Sequence, residues 1–187
     1  MTPILTNRFE EALVVAAQLH ATQRRKGTEI PYLAHLLAVA SLVITHGGDE
    51  DEAIAGLLHD SVEDQGGQAT LAMIRSRFGE GVAGIVEGCI DTDIVPKPPW
   101  RARKSHYLAH LQSASPSVKL VAAADKLDNV RSIVADYRMH GPDLWTRFNA
   151  GREDQQWFYR ACVVALQDGR PSIVSELDAA VQEMERL

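Results

Sequence analysis

The sequence has 187 residues, enough for one domain with a sizeable hydrophobic core, and its apolar and charged fractions of 45% and 24% are ordinary for a globular protein. These proportions exclude a disordered chain, and no apolar run approaches the length of a membrane span. The formal net charge of −6 argues against broad binding to nucleic acid, which needs a basic surface, but it allows a small anionic ligand beside local basic clusters.

Two features of the sequence bear on the compartment. Cys89 and Cys162 lie far apart and outside any CxxC pattern, which favours a reducing environment over a disulfide scaffold. The first residues carry Glu10 and Glu11 where a signal peptide needs unbroken apolarity. We therefore expect a cytoplasmic protein that does not bind membranes.

Apolar residues recur at three- and four-residue steps, and this periodicity predicts an all-α bundle, a single domain over residues 1–187. The first helix is predicted from Asn7 to Thr22, with Thr6 as its N-cap. A basic loop, QRRKGTEIP, leads to a second helix from Tyr32 to Thr45. Asp49 is the predicted cap of a third helix, EDEAIAGLLHDSVED.

The second half of the chain is also predicted to be helical. The segment DTDIVPKPPW, with its three prolines, interrupts it as an irregular loop, which we interpret as the rim or lid of a site. Ser115 and Pro116 predict the start of a long helix that ends at Gly141 and Pro142. The other predicted helices are a short one over 70–77, one that reaches residue 89 after Gly79, and two over 152–167 and 172–186.

Three of these helices carry residues suited to a divalent cation. A hydrolytic metal site needs a few imidazole and carboxylate ligands, with positions left open for water and substrate. The predicted helices offer one such set of ligands, which consists of His35, His59, Asp60 and Asp125. The absence of thiolate from this set favours manganese, iron or magnesium-like chemistry over a structural zinc site.

The surroundings of the His59-Asp60 pair strengthen this interpretation, because an HD dipeptide alone occurs often by chance. Glu63 and Asp64 follow one helical turn later and bring two further carboxylates beside the proposed ion. The run AAADKLDN places Asp125 in an equally apolar helix. Since unpaired buried carboxylates are costly, a cation is the simplest compensation.

These residues resemble the HD hydrolase family that degrades the alarmones guanosine tetra- and pentaphosphate, (p)ppGpp. That family includes small stand-alone hydrolases and the hydrolase half of Rel/SpoT proteins. The resemblance covers most of the chain in family order. It is carried by the segments RRKGTEIPYLAH, AGLLHDSVED, RFGEGVAGIVEG and VKLVAAADKLDNVR.

The resemblance implies an HD-domain helical bundle and a function in the stringent response. It makes His35, His59, Asp60 and Asp125 the ligands of a manganese ion, Mn2+. Glu63 and Asp64 fall on the family's ED pair, which orients the nucleophilic water and manages protons. The implied reaction releases pyrophosphate from the 3′ position of the nucleotide.

The resemblance also implies substrate contacts. Arg25 and Lys26 fall on the family's Arg-Lys pair, which forms the base-stacking and phosphate-contacting edge of the pocket. Asn129 matches an Asn that helps to bind the nucleotide. Lys104 and Arg152 are further predicted phosphate contacts, although basic residues on helices are more often simply solvated.

The chain departs from the family pattern at several positions. Leu36 stands where the family usually has Pro, Asp128 where its long members have His, and Gln156 where an aromatic or hydroxyl residue is common. The IDTD stretch, from Ile90 to Asp93, replaces a threonine-lysine segment, which predicts a less positive pocket for the distal phosphate. No departure removes a predicted ligand, so they bear on the substrate rather than on the class of reaction.

Three other interpretations remain open at this stage. The chain could act on another nucleotide, such as a nucleoside monophosphate or the 2′-phosphate of NADPH. It could be an idle HD domain that binds nucleotide as a sensor, or a structural bundle with a buried charge network. The sequence does not determine the physiological metal or the oligomeric state.

Overall fold

The structure, a computed structural model, describes residues 5–92 and 96–187. Its first half contains helices α1 (Asn7–Leu19), α2 (Leu33–Thr45), α3 (Glu50–Leu58), α4 (Ser61–Asp64), α5 (Gly67–Phe78) and α6 (Glu80–Cys89). Its second half contains α7 (Trp100–Ser113), α8 (Pro116–His140), a 3₁₀ helix (Gly141–Arg147), α9 (Arg152–Ala165) and α10 (Pro171–Glu185).

The predicted all-α class is confirmed. The described residues form no β-strand, and an isolated antiparallel bridge between Arg24 and Pro31 closes the basic loop after α1. Within the described parts of the chain, every helix is too short or too polar to cross a membrane.

Helix α8 lies at the centre of the bundle, where it packs against α2, α3, α6, α9 and α10. Its middle contributes fully buried side chains such as Leu120 and Leu127, and α3 is buried from Glu52 to Leu58. Burial of apolar side chains on this scale is the main source of stability in a domain of this size. Helices α2 and α8 carry predicted ligands, and α3 ends directly before two others. The hydrophobic core therefore holds together the helices that position the predicted site.

The predicted N-caps are confirmed. The side chains of Thr6 and Ser115 accept hydrogen bonds from the first turns of α1 and α8. Asp49 and Glu52 form a reciprocal capping box at the start of α3. Each cap satisfies backbone N–H groups that have no partner inside the helix, which explains why these helices start where the sequence indicates.

The prediction of one continuous helix over residues 50–64 is wrong. Helix α3 ends at Leu58, and α4 begins at Ser61 after a break at His59 and Asp60. Other predicted ends differ less: α1 stops at Leu19 instead of Thr22, and α5 begins at Gly67 instead of Thr70. Helix ends depend on local competition for backbone hydrogen bonds, so they are less predictable than the helices themselves.

Two elements were not predicted. Helix α7 is rich in polar residues, and its buried residues are Tyr107, Leu108 and Leu111, so its apolar stripe is short. The 3₁₀ helix follows Gly141, where the sequence indicates only the end of α8. Neither segment has the long apolar periodicity on which the other predictions rest.

Candidate metal centre and adjoining cavity

Two imidazoles and a carboxylate from three parts of the fold converge in the interior. His35 lies in the first turn of α2, His59 directly follows α3, and Asp125 lies in the buried half of α8. All three are buried, and one potential ligand atom of each lies within 4.8 Å of the others. The Nε2 atoms of His35 and His59 lie 3.4 and 3.8 Å from Oδ1 of Asp125.

Asp60 stands beside this group. Its Oδ2 atom lies 3.0 Å from Nε2 of His59 and 3.7 Å from Nε2 of His35, and it accepts a hydrogen bond of 2.5 Å from the hydroxyl of Tyr32. In a continuous helix, successive side chains point about 100° apart. Although both His59 and Asp60 keep helical backbone angles, Oδ2 of Asp60 lies near both imidazoles, so the four predicted ligands are close to one another.

The histidines are oriented as metal ligands usually are. Nδ1 of His59 donates to the backbone carbonyl of Gly56 over 2.9 Å, and Nδ1 of His35 donates to Oδ2 of Asp128 over 2.7 Å. Because a carbonyl and a carboxylate only accept, the proton of each neutral imidazole resides on Nδ1 and the lone pair on Nε2. Both Nε2 atoms are buried and have no hydrogen-bond partner among the described residues, and a buried polar atom in that state requires an explanation.

The pKa shifts show that this cluster favours positive charge at its centre. Burial opposes a charged His35, yet the neighbouring carboxylates of Asp125, Asp128 and Asp60 raise its pKa well above the usual value. Burial likewise opposes a charged carboxylate at Asp60, but attraction to His59 and His35 holds its pKa well below the usual value. A divalent cation among these four groups would supply the charge that the two carboxylates attract, so the donor set fits a metal.

The sequence analysis missed a residue next to Asp125. Lys126 is largely buried, with 12% of its side chain exposed, and its ammonium group donates to Oδ2 of Asp125, while the amide of Asn129 donates to Oδ1. Burial lowers the pKa of Lys126, but attraction to Asp125 outweighs it and raises that pKa well above the usual value. The signal was present in the run AAADKLDN, because a lysine in an apolar helix needs a partner as much as an aspartate does.

Asp128 links the metal centre to the basic loop after α1. A single oxygen, Oδ2, accepts from Nδ1 of His35 and from Nη1 of Arg25, each over 2.7 Å. The other guanidinium nitrogen, Nη2, donates to the amide oxygen of Asn129 over 3.2 Å. The residue that departs from the family pattern at position 128 thus orients a predicted ligand and a predicted substrate contact at the same time.

We expect Asp128→Ala to weaken the binding of Mn2+ by about 10- to 100-fold, because partners that orient a metal-ligating histidine contribute that much to affinity. Isothermal titration calorimetry with metal-free protein measures the change. Asp143→Ala is the matched control, since Asp143 is exposed on the 3₁₀ helix. Equal affinities for Mn2+ in the two variants would contradict the role assigned to Asp128.

Glu63 and Asp64 lie on α4, directly after the break. Oε1 of Glu63 accepts from Nζ of Lys97 over 2.7 Å, which brings the proline-rich loop to the edge of the site. Oδ2 of Asp64 accepts from the amide of Gln23 over 2.7 Å. Partial burial raises the pKa of Asp64, and repulsion from Asp60 and Glu63 raises it further. The hydrogen bond from Gln23 lowers this pKa but does not cancel the increase.

A cavity of about 210 Å³ adjoins the cluster. Tyr32 and Asn129, which hydrogen-bond Asp60 and Asp125, line its inner side. Arg25 and Lys26 line it from the basic loop, so two cations face the same space. This cavity therefore connects the candidate metal centre to a cationic surface suited to a phosphorylated ligand.

The two remaining predicted phosphate contacts are not placed at this cavity. Lys104 donates to Oδ2 of Asp91 over 2.8 Å and lies over the ring of Phe158. Burial, with added repulsion from Lys126, lowers the pKa of Lys104. Arg152 is exposed at the start of α9 and pairs with no residue in the described ranges.

The other departures from the family pattern have structural partners. Leu36 is fully buried in the core, and the amide of Gln156 donates towards carbonyls at the end of α10. Asp91 pairs with both Arg103 and Lys104, as expected if the IDTD stretch makes its surroundings less positive. Asp93, at the end of that stretch, lies outside the described residues.

Comparisons with known proteins agree on one family. The HD domain family matches residues 12–156. The guanosine-3′,5′-bis(diphosphate) 3′-pyrophosphohydrolase MESH1 of Xenopus tropicalis is 39% identical over 150 residues, which cover 79% of this chain and 78% of that protein. The enzyme of the same name from Drosophila melanogaster is 34% identical over 160 residues, which cover 84% and 83% of the two chains.

A solved structure supports the same relationship. It is described as a metazoan ortholog of SpoT that hydrolyses ppGpp and plays a role in starvation responses. Its chain superposes on this one with a TM-score of 0.81 at 28% identity, and the match covers 97% of this chain and 98% of the other.

Proposed function

The chain belongs to the HD domain family, and on that premise we propose that it is a metal-dependent phosphohydrolase of (p)ppGpp. In the proposed reaction, water displaces the 3′-pyrophosphate, and the products are pyrophosphate and GDP or GTP. The proposed unit is one HD domain over the whole chain.

One observation carries the proposal. The Nε2 atoms of His35 and His59 are buried, lack a hydrogen-bond partner in the described part of the chain, and are directed at the carboxylates of Asp60 and Asp125. A structural charge network would satisfy these nitrogens with hydrogen bonds. Unsatisfied imidazole nitrogens that face carboxylates, beside a cation-lined cavity, are expected of a hydrolytic metal centre.

His35, His59, Asp60 and Asp125 would hold the cation. Two imidazole nitrogens and carboxylate oxygens without thiolate suit Mn2+. When bound, such a cation lowers the pKa of a water molecule and polarises a phosphate oxygen. The protein keeps the ligands rigid, because the side chain of each His is fixed through Nδ1 by Asp128 or by the carbonyl of Gly56.

Glu63 and Asp64 would manage the protons. Both follow the His59-Asp60 break on a short helix, and Glu63 is already held by Lys97. A carboxyl group with a raised pKa, as at Asp64, accepts and returns a proton more readily near neutral pH. We assign the pair to orienting the attacking water and accepting its proton.

The cavity would hold the nucleotide. Arg25 is preorganised by Asp128 and Asn129, so its guanidinium plane is fixed before a ligand arrives. A planar guanidinium can stack on a base and bind a phosphate, and the exposed ammonium of Lys26, which donates to Oδ1 of Asn149, adds a second positive charge. Lys104 and Arg152 stay predicted phosphate contacts from outside the group of metal ligands.

The proposal predicts the products of one incubation. The purified protein with ppGpp and Mn2+ is expected to release pyrophosphate and GDP, which ion-exchange chromatography separates. Protein treated with a chelator and assayed without added metal is the control, and it should release neither product. Release of orthophosphate without pyrophosphate would contradict the proposal and indicate a phosphatase.

A second candidate is an HD phosphohydrolase that acts on another nucleotide, such as the 2′-phosphate of NADPH. The ion pairs of Asp91 with Arg103 and Lys104 favour it, because they neutralise cations that a distal phosphate would otherwise meet. The same assay with NADPH and nucleoside monophosphates separates the two candidates. A higher kcat/KM for NADPH or for a nucleoside monophosphate than for ppGpp would favour the second candidate function.

A further inference from the structure

The cavity beside the metal centre contains a carboxylate that the proposed chemistry does not use. Asp136 lies on α8 and lines the cavity at the end away from the ligand Asp125, eleven positions along the same helix. Among the described residues that line the cavity, it is the one acidic side chain. A carboxylate in a pocket for a polyphosphate repels the phosphates, so it has to face an uncharged part of the ligand.

One face of α8 runs along the cavity and defines its two ends. Asn129, Ser132 and Asp136 are spaced three and four residues apart, with Ile133 next to Ser132, so they lie along one side of the helix. Asn129 is at the end that holds the predicted metal ligand, and Asp136 is at the far end. Phosphates held near the metal centre would therefore place the base of a nucleotide towards Asp136.

The cavity walls suit a flat ring. Ile133, Phe148 and Tyr159 contribute apolar surface to the lining, and Arg25 presents its guanidinium from the basic loop. Aromatic, aliphatic and guanidinium groups all stack on nucleobases, but none of them distinguishes one base from another. A hydrogen-bonding group at the edge of the ring has to supply any base preference.

Asp136 is held in place for that role. Nη1 of Arg147 lies 3.3 Å from Oδ2 of Asp136, and 23% of the Asp136 side chain is exposed. The stem of Arg147 also packs on Gly27, where a Cβ atom would come within 2.8 Å of it and where φ is +73°. Arg147 thus fixes the carboxylate and the basic loop relative to each other.

We propose that Asp136 determines a preference for guanine by accepting hydrogen bonds from N1–H and the 2-amino group of the base. Guanine presents two adjacent donors on this edge, which match the two oxygens of a carboxylate. Adenine presents an acceptor, N1, at the same place, and xanthine replaces the 2-amino donor with a carbonyl acceptor. The inference rests on the proposed function for the orientation of the nucleotide, and it adds the residue that selects the base.

The test is a change of one acceptor into a donor. Asp136→Asn replaces a carboxylate oxygen with an amide N–H, which can donate to the 2-carbonyl of xanthine. Equilibrium binding of GDP, XDP and ADP to the Mn2+-loaded protein is measured by calorimetry. The wild type should favour GDP, whereas Asp136→Asn should bind GDP about 10- to 100-fold more weakly and shift its preference towards XDP, given the usual discrimination of a bidentate base contact.

Two further variants keep the inference falsifiable. Asp143→Asn makes the same chemical change on the exposed 3₁₀ helix and should bind all three nucleotides like the wild type. Asp136→Ala should lose the preference for GDP without gaining affinity for XDP, and thermal melting shows whether either Asp136 variant is folded. A wild-type ratio of GDP to XDP affinity in folded Asp136→Asn, or no preference for GDP in the wild type, would overturn the inference.

Failure of the inference is distinct from failure of the proposed function. If the wild type releases pyrophosphate from ppGpp while Asp136→Asn retains its preference for GDP, the reaction stands and the inference is overturned. If the wild type prefers GDP and Asp136→Asn shifts towards XDP, but ppGpp is not hydrolysed, the inference stands and the proposed reaction is overturned.

Discussion

His59→Ala and Asp125→Ala are each expected to abolish hydrolysis of ppGpp and to remove most of the bound metal. Each substitution deletes a buried donor from a group of four, and the side chains around it are already committed to other partners. Since the cation supplies both an activated water and charge stabilisation, we expect the rate to fall by more than about 1000-fold. Elemental analysis of protein purified without chelator should find near-stoichiometric divalent metal in the wild type and little in either variant.

His46→Ala is the matched control for His59→Ala. Nε2 of His46 is also buried without a hydrogen-bond partner from residues 5–92 and 96–187, but Nδ1 pairs with Ser172, and a carboxylate oxygen of Glu176 lies 3.4 Å from Nε2 near the surface. This histidine does not share a cluster with Asp60 or Asp125, so its removal should leave the metal content unchanged. Full activity or full metal content in either ligand variant would contradict the ligand assignment.

The sequence predicts where several helices begin and end, because the capping residues, prolines and glycines that mark these ends act locally. Ser115, Pro116 and Gly141 mark the start and end of α8, and the structure places that helix over Pro116–His140. A proline at the first turn and a glycine after the last act through φ angles and backbone hydrogen bonds that need no distant partner. The same is true of the capping box at Asp49.

The break between α3 and α4 could not be predicted in this way. The stretch EDEAIAGLLHDSVED contains no proline, and its glycine lies before the break. The structure places Asp60 against Tyr32, 28 positions earlier in the chain, and against His35 in the first turn of α2, so these partners come from a different element. Tertiary contacts decide where this helix stops, and periodicity does not record them.

The candidate site likewise combines residues that the sequence predicts with contacts that it does not predict. His35, His59, Asp60 and Asp125 could be predicted because charged residues in apolar helices need compensation, whatever the topology. The bond from His35 to Asp128 joins residues 93 positions apart, and nothing in the local sequence around either residue indicates it. The cavity role of Tyr159, which the sequence analysis did not assign, likewise depends on how α9 packs against α8.

Glu63→Gln is expected to lower kcat by about 100- to 10,000-fold, the usual contribution of a positioned proton acceptor, and to leave the bound Mn2+ unchanged. The amide keeps the size and hydrogen-bonding reach of the carboxylate but cannot accept the proton of water. Glu63 is not within the cluster of His35, His59 and Asp125, so the metal should stay in place. Steady-state kinetics on ppGpp and elemental analysis of the same preparation give the two measurements.

The pairing of those measurements separates two causes of lost activity. A variant that loses a metal ligand loses rate and metal together, whereas a variant that loses the proton acceptor loses only rate. Glu80→Gln is the matched control, because Glu80 also accepts an ion-pair hydrogen bond of 2.7 Å, from Arg75, as Glu63 does from Lys97. If Glu63→Gln retained the wild-type kcat, the proton would have to be accepted elsewhere, and Asp64 with its raised pKa would be the remaining carboxylate of the pair. If the variant lost its metal together with its activity, Glu63 would act by supporting the metal, and its assignment as the proton acceptor would be contradicted.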